Sequence, residues 1–278
     1  MNKKIITTIN NKLLKALDNN IIPWQQPWKN GISNQNFQSK HIYHGINELL
    51  TSCTEFSSPY WLTFNQIKES GGTVKKGSES TPIIFHTKVT KDDNPEIEKE
   101  YWVTKLYRIF NLDQVERIKT ETIDEDKTIR PCVSSDSLIE SMINKPAIIN
   151  KNGSECYYRP SNDTIYMVNQ SQFESHYDYY SVLFHELIHS TGHQTRLNRT
   201  TVTKRHYQGS PDYAIEELTA EIGANYLAKL CNIDSHINFD NSVSYIDGWK
   251  RVIKSNPKAF FIASQRAFKA IQYIQNIR

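Results

Sequence analysis

The sequence predicts an α+β protein of two domains, an N-terminal α+β part and a mainly helical C-terminal part. Three observations predict it. Short β-prone segments punctuated by Gly and Pro run from Ser58 to Phe110. Apolar residues at helical spacing dominate from Tyr177 onward. Between the two, Lys119-Thr-Glu-Thr-Ile-Asp-Glu-Asp-Lys-Thr-Ile-Arg-Pro131 is polar, charged and proline-ended, the composition of an exposed linker. The domains are therefore read as 1–125 and 126–278.

The elements follow in order. Ile6, Ile9, Leu13 and Leu17 share one helical face, with Lys3, Lys4, Lys12 and Lys15 mostly on others, and Asn19-Asn20 ends that helix. A Pro- and Trp-rich loop follows from Pro23 to Trp28. Thr63 with Gln66 forms a capping box for a short helix that Gly71-Gly72 stops. Thr73–Gly77 and Pro82–Val89 read as two strands paired around a turn, with further strands at Tyr101–Val103 and Lys105–Phe110. A buried helix is expected between Tyr177 and Thr191, with Gly192 as the residue that stops it. The next helix begins at Ser210-Pro211-Asp212, where Ser210 caps, Pro211 fits the first position and Asp212 meets the positive end. It ends near Leu230, with Ile215, Leu218, Ile222 and Leu230 on its buried face.

Composition excludes several classes. With 38% hydrophobic and 23% charged residues over 278 positions, the chain is ordinary for a globular protein of two domains. The start, Met-Asn-Lys-Lys, lacks a signal peptide's apolar region, and no apolar run approaches a membrane span, so a cytoplasmic protein is expected. Cys53, Cys132, Cys156 and Cys231 form no CxxC pair, which argues against a cysteine-bound metal and suits a reducing compartment. The net charge of +3 is uneven: residues 1–90 carry +5, 91–130 carry −3, and the rest +1. The negative part comes from Asp92 to Glu100 and Glu121 to Asp126.

The most specific chemistry lies in His185-Glu186-Leu187-Ile188-His189. Residues four apart share a helix face, so both imidazoles can bind one metal ion while Glu186 reaches a water beside it. That is the arrangement of a zinc-dependent hydrolase, with Glu186 as general base. A third ligand is expected on the following helix. Glu217 and Glu221, four apart beside its apolar stripe, are costly there without partners. Glu217 is read as the ligand and Glu221 as the carboxylate that orients a ligand histidine, though the two can be exchanged. His193 is a rival ligand, four residues after His189. Glu216 is read as part of a solvated face. Tyr213, His206 and Tyr207 are all candidates to stabilise an oxyanion. Imidazole and carboxylate donors favour Zn2+, with Mn2+ as an alternative.

In the N-terminal part, aromatics interleave with lysines. Single-stranded nucleic acid needs both, rings for bases and cations for phosphates. The candidates are Trp24, Trp28, Tyr43, Tyr60 and Trp61, with Lys75, Lys76 and Lys88. Composition by itself favours the plainer reading, in which most of these rings fill a small core.

Longer strings carry a family resemblance. They are Tyr43–Asn47, Ser58–Phe64, Gly71–Gly77 and Tyr107–Gln114 in the first part, then Phe184–His193, Arg196–Arg199 and Glu216–Ala224, with Tyr245–Trp249 and Ala259–Ser264 trailing. Over nearly its full length the chain resembles the ArdC-type antirestriction proteins of plasmids and phages. The resemblance implies an N-terminal single-stranded DNA-binding domain, a C-terminal zincin-like (gluzincin) metallopeptidase domain, and protection of incoming DNA from host restriction. It also implies Glu217 as zinc ligand and Glu221 as support for a ligand histidine. The tract from Asp92 to Glu100 is peculiar to this chain and is expected to lie away from a DNA site, since it would repel phosphate. Two other functions compete with a DNA-directed peptidase. One is a single-stranded DNA-coating protein with a structural metal, and the other is a peptidase for DNA–protein crosslinks.

Overall fold

The computed structural model describes residues 2–24, 33–91, 99–118, 134–204, 207, 210–233 and 242–277, with the side chains of 87–91, 99–102 and 242–245 excepted. The chain folds as two units, each with its own core. The first comprises Met1–Pro23 and Ile32–Asp126, and the second Trp24–Gly31 and Lys127–Arg278.

In the first unit, α1 spans Lys3–Asp18 and is capped by Asn2, whose side chain accepts the Lys4 N–H. Its apolar stripe buries Ile9, Leu13 and Leu17, and Asn20 leaves the helix at φ 58°. Two short helices follow, α2 (Ile46–Thr51) and α3 (Phe64–Glu69). The capping box at Thr63 and Gln66 is formed in full, and Gly71 sits at φ +72° just past the helix. Four strands form a sheet in the order β1 (Gln35–Asn36), β2 (Tyr60–Thr63), β5 (Lys99–Asn111), β4 (Thr81–Lys91). β1 and β2 are parallel and the other pairs antiparallel. Alternation along β4 and β5 turns Ile83 and Ile109 to one face, where they pack with Tyr43 and Trp61 as the core.

The strand pairing expected around Gly77 is not the one found. β3 (Thr73–Val74) pairs with β6 (Val115–Glu116), while β4 pairs along its length with β5. The segments expected at Tyr101–Val103 and Lys105–Phe110 are one continuous strand. The long register of β4 on β5 satisfies far more backbone groups than a hairpin at Gly77 could.

The second unit is helical around a small sheet. α4 (Ser135–Ser141) precedes β7 (Ala147–Lys151), β8 (Tyr157–Arg159) and β9 (Thr164–Val168). These strands lie in the order β7-β9-β8, with β7 parallel and β8 antiparallel to β9. Then come α5 (His176–Ser190), the single turn α6 (Thr200–Thr203), α7 (Pro211–Leu230), α8 (Ser242–Ser255) and α9 (Ala259–Ile274). Phe184, Leu187 and Ile188 of α5, Leu227 of α7, Ile274 of α9 and Ile165 and Met167 of β9 are fully buried in one core. Small residues let the helices close up. Ala259, Ala263, Ala267 and Ala270 of α9 are all at 0% exposure. On α7, a Cβ at Gly223 would meet Ile188 of α5 at 2.6 Å. Among the described residues no helix is long and apolar enough to cross a membrane.

Candidate metal centre

The helix that carries the HExxH sequence starts where Ser175 accepts the Asp178 N–H and ends at Thr191. One turn apart on it, His185 and His189 bring their Nε2 atoms to 3.1 Å. α7 starts as its sequence dictates, with Ser210 accepting the Tyr213 N–H and Pro211 in the first turn. It places Glu217 opposite the histidines, one oxygen 3.5 Å from His185 Nε2 and the other 3.7 Å from His189 Nε2. Among the described residues, His185, His189 and Glu217 are the group whose donor atoms converge this closely.

The donor set fits a divalent cation. Tetrahedral ligands at zinc–nitrogen distance lie about 3.3 Å from one another, and the separations here bracket that value. Two imidazole nitrogens facing each other need a proton or a cation between them, since two lone pairs repel. Burial opposes the charged form of the His185 imidazole, but its hydrogen bond to Glu217 and the carboxylates of Glu221, Glu186 and Glu217 outweigh it and push it up to about 9. The cavity therefore favours positive charge.

Each outer imidazole nitrogen also faces a carboxylate. Glu221 lies 3.8 Å from His185 Nδ1, an ion-pair distance. Glu216 lies 3.2 Å from His189 Nδ1. The expectation that Glu216 lines a solvated face is overturned, because the residue is 4% exposed. α7 has no solvated face along its middle: Glu216, Leu218, Thr219, Ala220, Ile222, Gly223 and Ala224 are all buried. The signal for this was the run of small residues, Ala220, Gly223, Ala224 and Ala228, which marks close neighbours on several sides. Glu216 accepts two bonds from Arg199 and one from Thr201. Burial penalises its charge, but the bonds from His189 and Arg199 outweigh that and hold its carboxyl well below the usual range.

Glu186 is nearly buried and its Oε2 accepts the Tyr158 backbone N–H of β8 at 2.8 Å. Tyr213 hydrogen-bonds Glu217, and burial followed by the Glu217 charge raises its phenol. Tyr207 is 90% exposed, and His206 lies outside the described residues. His193 is turned into its own loop, where Nδ1 pairs with the Thr195 hydroxyl at 2.9 Å. It stands outside the converging group. Gly192 follows α5 as expected, but not in the left-handed conformation of a stop glycine. A Cβ there would collide with Val202 at 2.4 Å and approach Arg199 Cζ at 3.1 Å, so a glycine at this position makes room first for Val202 and then for Arg199.

The N-terminal aromatics divide. Trp24, Tyr43 and Trp61 are 2%, 2% and 1% exposed and present no face to a base. Trp24 packs in the second unit between Trp249 and Phe260, while Tyr43 and Trp61 belong to the core of the first. These three are withdrawn as base-stacking residues. Tyr60 is half-buried, edge-on to Phe37, with Lys40 over both rings. Lys75 donates to the Asp113 carbonyl at 2.7 Å and Lys76 is exposed. Trp28, the Lys88 side chain and the acidic residues 92–98 lie outside the described residues. Composition did not single out Phe85 and Tyr107, which meet edge to face at 5.6 Å on one face of β4 and β5. His41 packs on Phe85, Lys105 stands opposite it in register, and Tyr107 is 41% exposed.

Comparison with known proteins bears on both units. Residues 3–131 match the family described as the N-terminal domain of anti-restriction factor ArdC. Residues 137–266 match the zincin-like metallopeptidase family. Two Escherichia coli proteins named DNA primase TraC are each 27% identical over 95% of this chain, which spans only 19% and 26% of their lengths. The crystal structure of the antirestriction ArdC protein from plasmid R388 in its metal-free form is 26% identical, with TM-score 0.74, covering 97% of this chain and 96% of that one. Its Mn(II)-bound form is 25% identical, with TM-score 0.77, covering 100% and 98%. With both domains matched in order and the whole chain superposing on ArdC, this is an ArdC-type protein, an ArdC N-terminal domain followed by a zincin-like metallopeptidase domain.

Proposed function

We propose that this ArdC-type protein protects incoming DNA from restriction, binding single-stranded DNA through its N-terminal unit and cleaving protein at a divalent-cation centre in its C-terminal unit. The observation that carries the peptidase reading is the convergence of His185, His189 and Glu217 with Glu186 fixed beside them. The cation, Zn2+ or Mn2+, would be held by those three residues and would polarise a carbonyl and acidify a water. Glu186 takes a proton from the attacking water and delivers it to the leaving amine. The Tyr158 N–H keeps that carboxylate in place, and Glu221 orients His185 from outside. Tyr213, already bonded to Glu217, is the helper placed to donate to a developing oxyanion.

For DNA, the face bearing Phe85, Tyr107, His41 and Lys105 supports stacking of bases with phosphate neutralised nearby. Lys76 extends the positive charge of that unit.

The experiment compares wild type with Glu186→Gln in a restricting host challenged with unmodified DNA, alongside cleavage of host proteins bound to DNA. Loss of protection and of cleavage in the variant, with cation binding retained, is the expected result. Equal protection would mean that DNA coating alone is the defence and would remove proteolysis from the function. Cleavage confined to proteins covalently joined to DNA would make the protein a crosslink peptidase instead.

A further inference from the structure

What the outer nitrogen of a metal-facing imidazole bonds decides which nitrogen carries the hydrogen and how the ring is turned. For His189 that partner is Glu216, with Oε1 3.2 Å from Nδ1. An ionised carboxylate only accepts, so the hydrogen belongs on Nδ1, and Nε2 keeps its lone pair toward His185 and Glu217.

Glu216 is itself held on every side. Arg199 Nη2 donates to Oε1 at 2.6 Å and Arg199 Nε to Oε2 at 3.0 Å. The Thr201 hydroxyl donates to Oε2 at 2.6 Å. Counting His189, four donors meet the two oxygens of a side chain that is 6% exposed. A carboxylate so engaged has no free position for a cation, although its neighbour Glu217 has one.

Arg199 does more than neutralise the carboxylate. Its Nη1 donates to the Thr191 hydroxyl at 2.6 Å and its Nη2 to the Ile188 carbonyl at 2.8 Å. The Ile188 carbonyl already accepts from the Thr191 N–H and hydroxyl, and the guanidinium adds a charged donor to it at the helix end. One side chain therefore fastens the end of α5, which carries His189, to α7, which carries Glu216 and Glu217. The bare backbone of Gly192 leaves space there, chiefly for Val202 and also for the guanidinium.

We infer that Glu216, held by Arg199 and Thr201, is a positioning residue for cation binding: it fixes the Nδ1–H form and ring plane of His189 while being withheld from the cation, so that Glu217 is the carboxylate ligand. The inference rests on the reading of His185, His189 and Glu217 as ligands.

The test uses the full chain. Zn2+ affinity is measured by competition with a chromophoric chelator for wild type, Glu216→Gln, Glu216→Ala and the double variant Arg199→Met/Glu216→Leu. The double variant removes both buried charges at once, which spares the fold the lone charge a single substitution leaves. Circular dichroism without cation checks each fold. Glu216→Ala and the double variant should bind Zn2+ about 10- to 100-fold more weakly. Glu216→Gln, whose amide oxygen can still accept from Nδ1–H, should recover part of that loss. Long-range proton–nitrogen correlation NMR on Zn2+-loaded wild type adds a readout that needs no variant and should find His189 protonated at Nδ1. A folded double variant with wild-type affinity would overturn the inference, as would His189 protonated at Nε2. If wild type binds no cation, the centre itself is wrong. If it binds and only the Glu216 variants are silent, the centre stands and the positioning role falls.

Discussion

At the scale of single residues, an aromatic side chain means different things by where along a sheet face its ring lies. Trp61 and Tyr107 sit on neighbouring strands of one sheet, yet Trp61 is 1% exposed and Tyr107 41%. Trp61 also donates its indole N–H to Asn34 at 2.9 Å. Removing it opens a cavity and strands that acceptor, so Trp61→Ala should cost about 3–5 kcal/mol of stability. Tyr107→Ala, on the surface, should stay within about 0.5 kcal/mol of wild type. For oligonucleotide binding the order reverses. Loss of a stacked base is worth about 1–3 kcal/mol, so Tyr107→Ala should weaken single-stranded binding roughly 5- to 100-fold while the fold is kept. Urea unfolding and fluorescence anisotropy with a single-stranded oligonucleotide check the two halves. Unchanged affinity in Tyr107→Ala would move the DNA site off this face. The sequence could not make this distinction. It shows that Trp61 and Tyr107 are aromatic and near lysines, but register puts both on one face of the sheet, Trp61 opposite Asn111 and Tyr107 opposite Ile83, and what covers Trp61 there, Tyr43 included, comes from other parts of the chain.

At the scale of elements, local signals were legible and pairing was not. The caps at Ser210 and Thr63 and the stop at Asn19-Asn20 are written in a few adjacent residues, and each helix begins or ends there. The spacing of His185 and His189 likewise needs only one helix. β3 finding β6, and Glu216 finding Arg199, are decided by packing between distant segments. The contact that sets the distance between the two site helices belongs to the same class. A Cβ at Gly223 would lie 2.6, 2.8 and 3.2 Å from Cδ1, Cγ1 and Cγ2 of Ile188. Propensity alone would make Ala better than Gly here by about 1 kcal/mol. The β-branched Ile188 cannot turn all three carbons away at once, and it is fully buried. Overpacking of about 1–3 kcal/mol should therefore win, so Gly223→Ala should lower the urea midpoint. It should also weaken cation binding, because α5 and α7 carry the ligands apart. A variant more stable than wild type, with unchanged cation affinity, would show that the close approach of these helices is not what spaces the centre.

At the scale of the whole molecule, two buried clusters among the described residues share no residue. One gathers Tyr43, Trp61, Ile83 and Ile109, and the other the residues of α4, α5, α7, α9 and β9. The proposed ligands fall on opposite sides of that division, DNA on the first core and the cation on the second. A ligand that binds only the folded state stabilises it by RT ln(1 + [L]/Kd), about 2.7 kcal/mol at a hundredfold excess over Kd. That free energy slows hydrogen exchange in the cooperative unit that holds the ligand. Zn2+ should therefore slow exchange at backbone amides of α5 and α7, where His185, His189 and Glu217 sit, by up to about 100-fold. It should leave β2, β4 and β5 near their cation-free rates. A chelator should reverse the effect, and a single-stranded oligonucleotide should protect the first set of strands instead. Hydrogen-exchange mass spectrometry in the four conditions, with neither, either and both ligands, reads all of this at once. Protection of α5 and α7 by the oligonucleotide alone would break the assignment of one ligand to each core. It would mean that DNA occupancy changes the stability of the metal centre, which is the form that DNA activation of the peptidase would take.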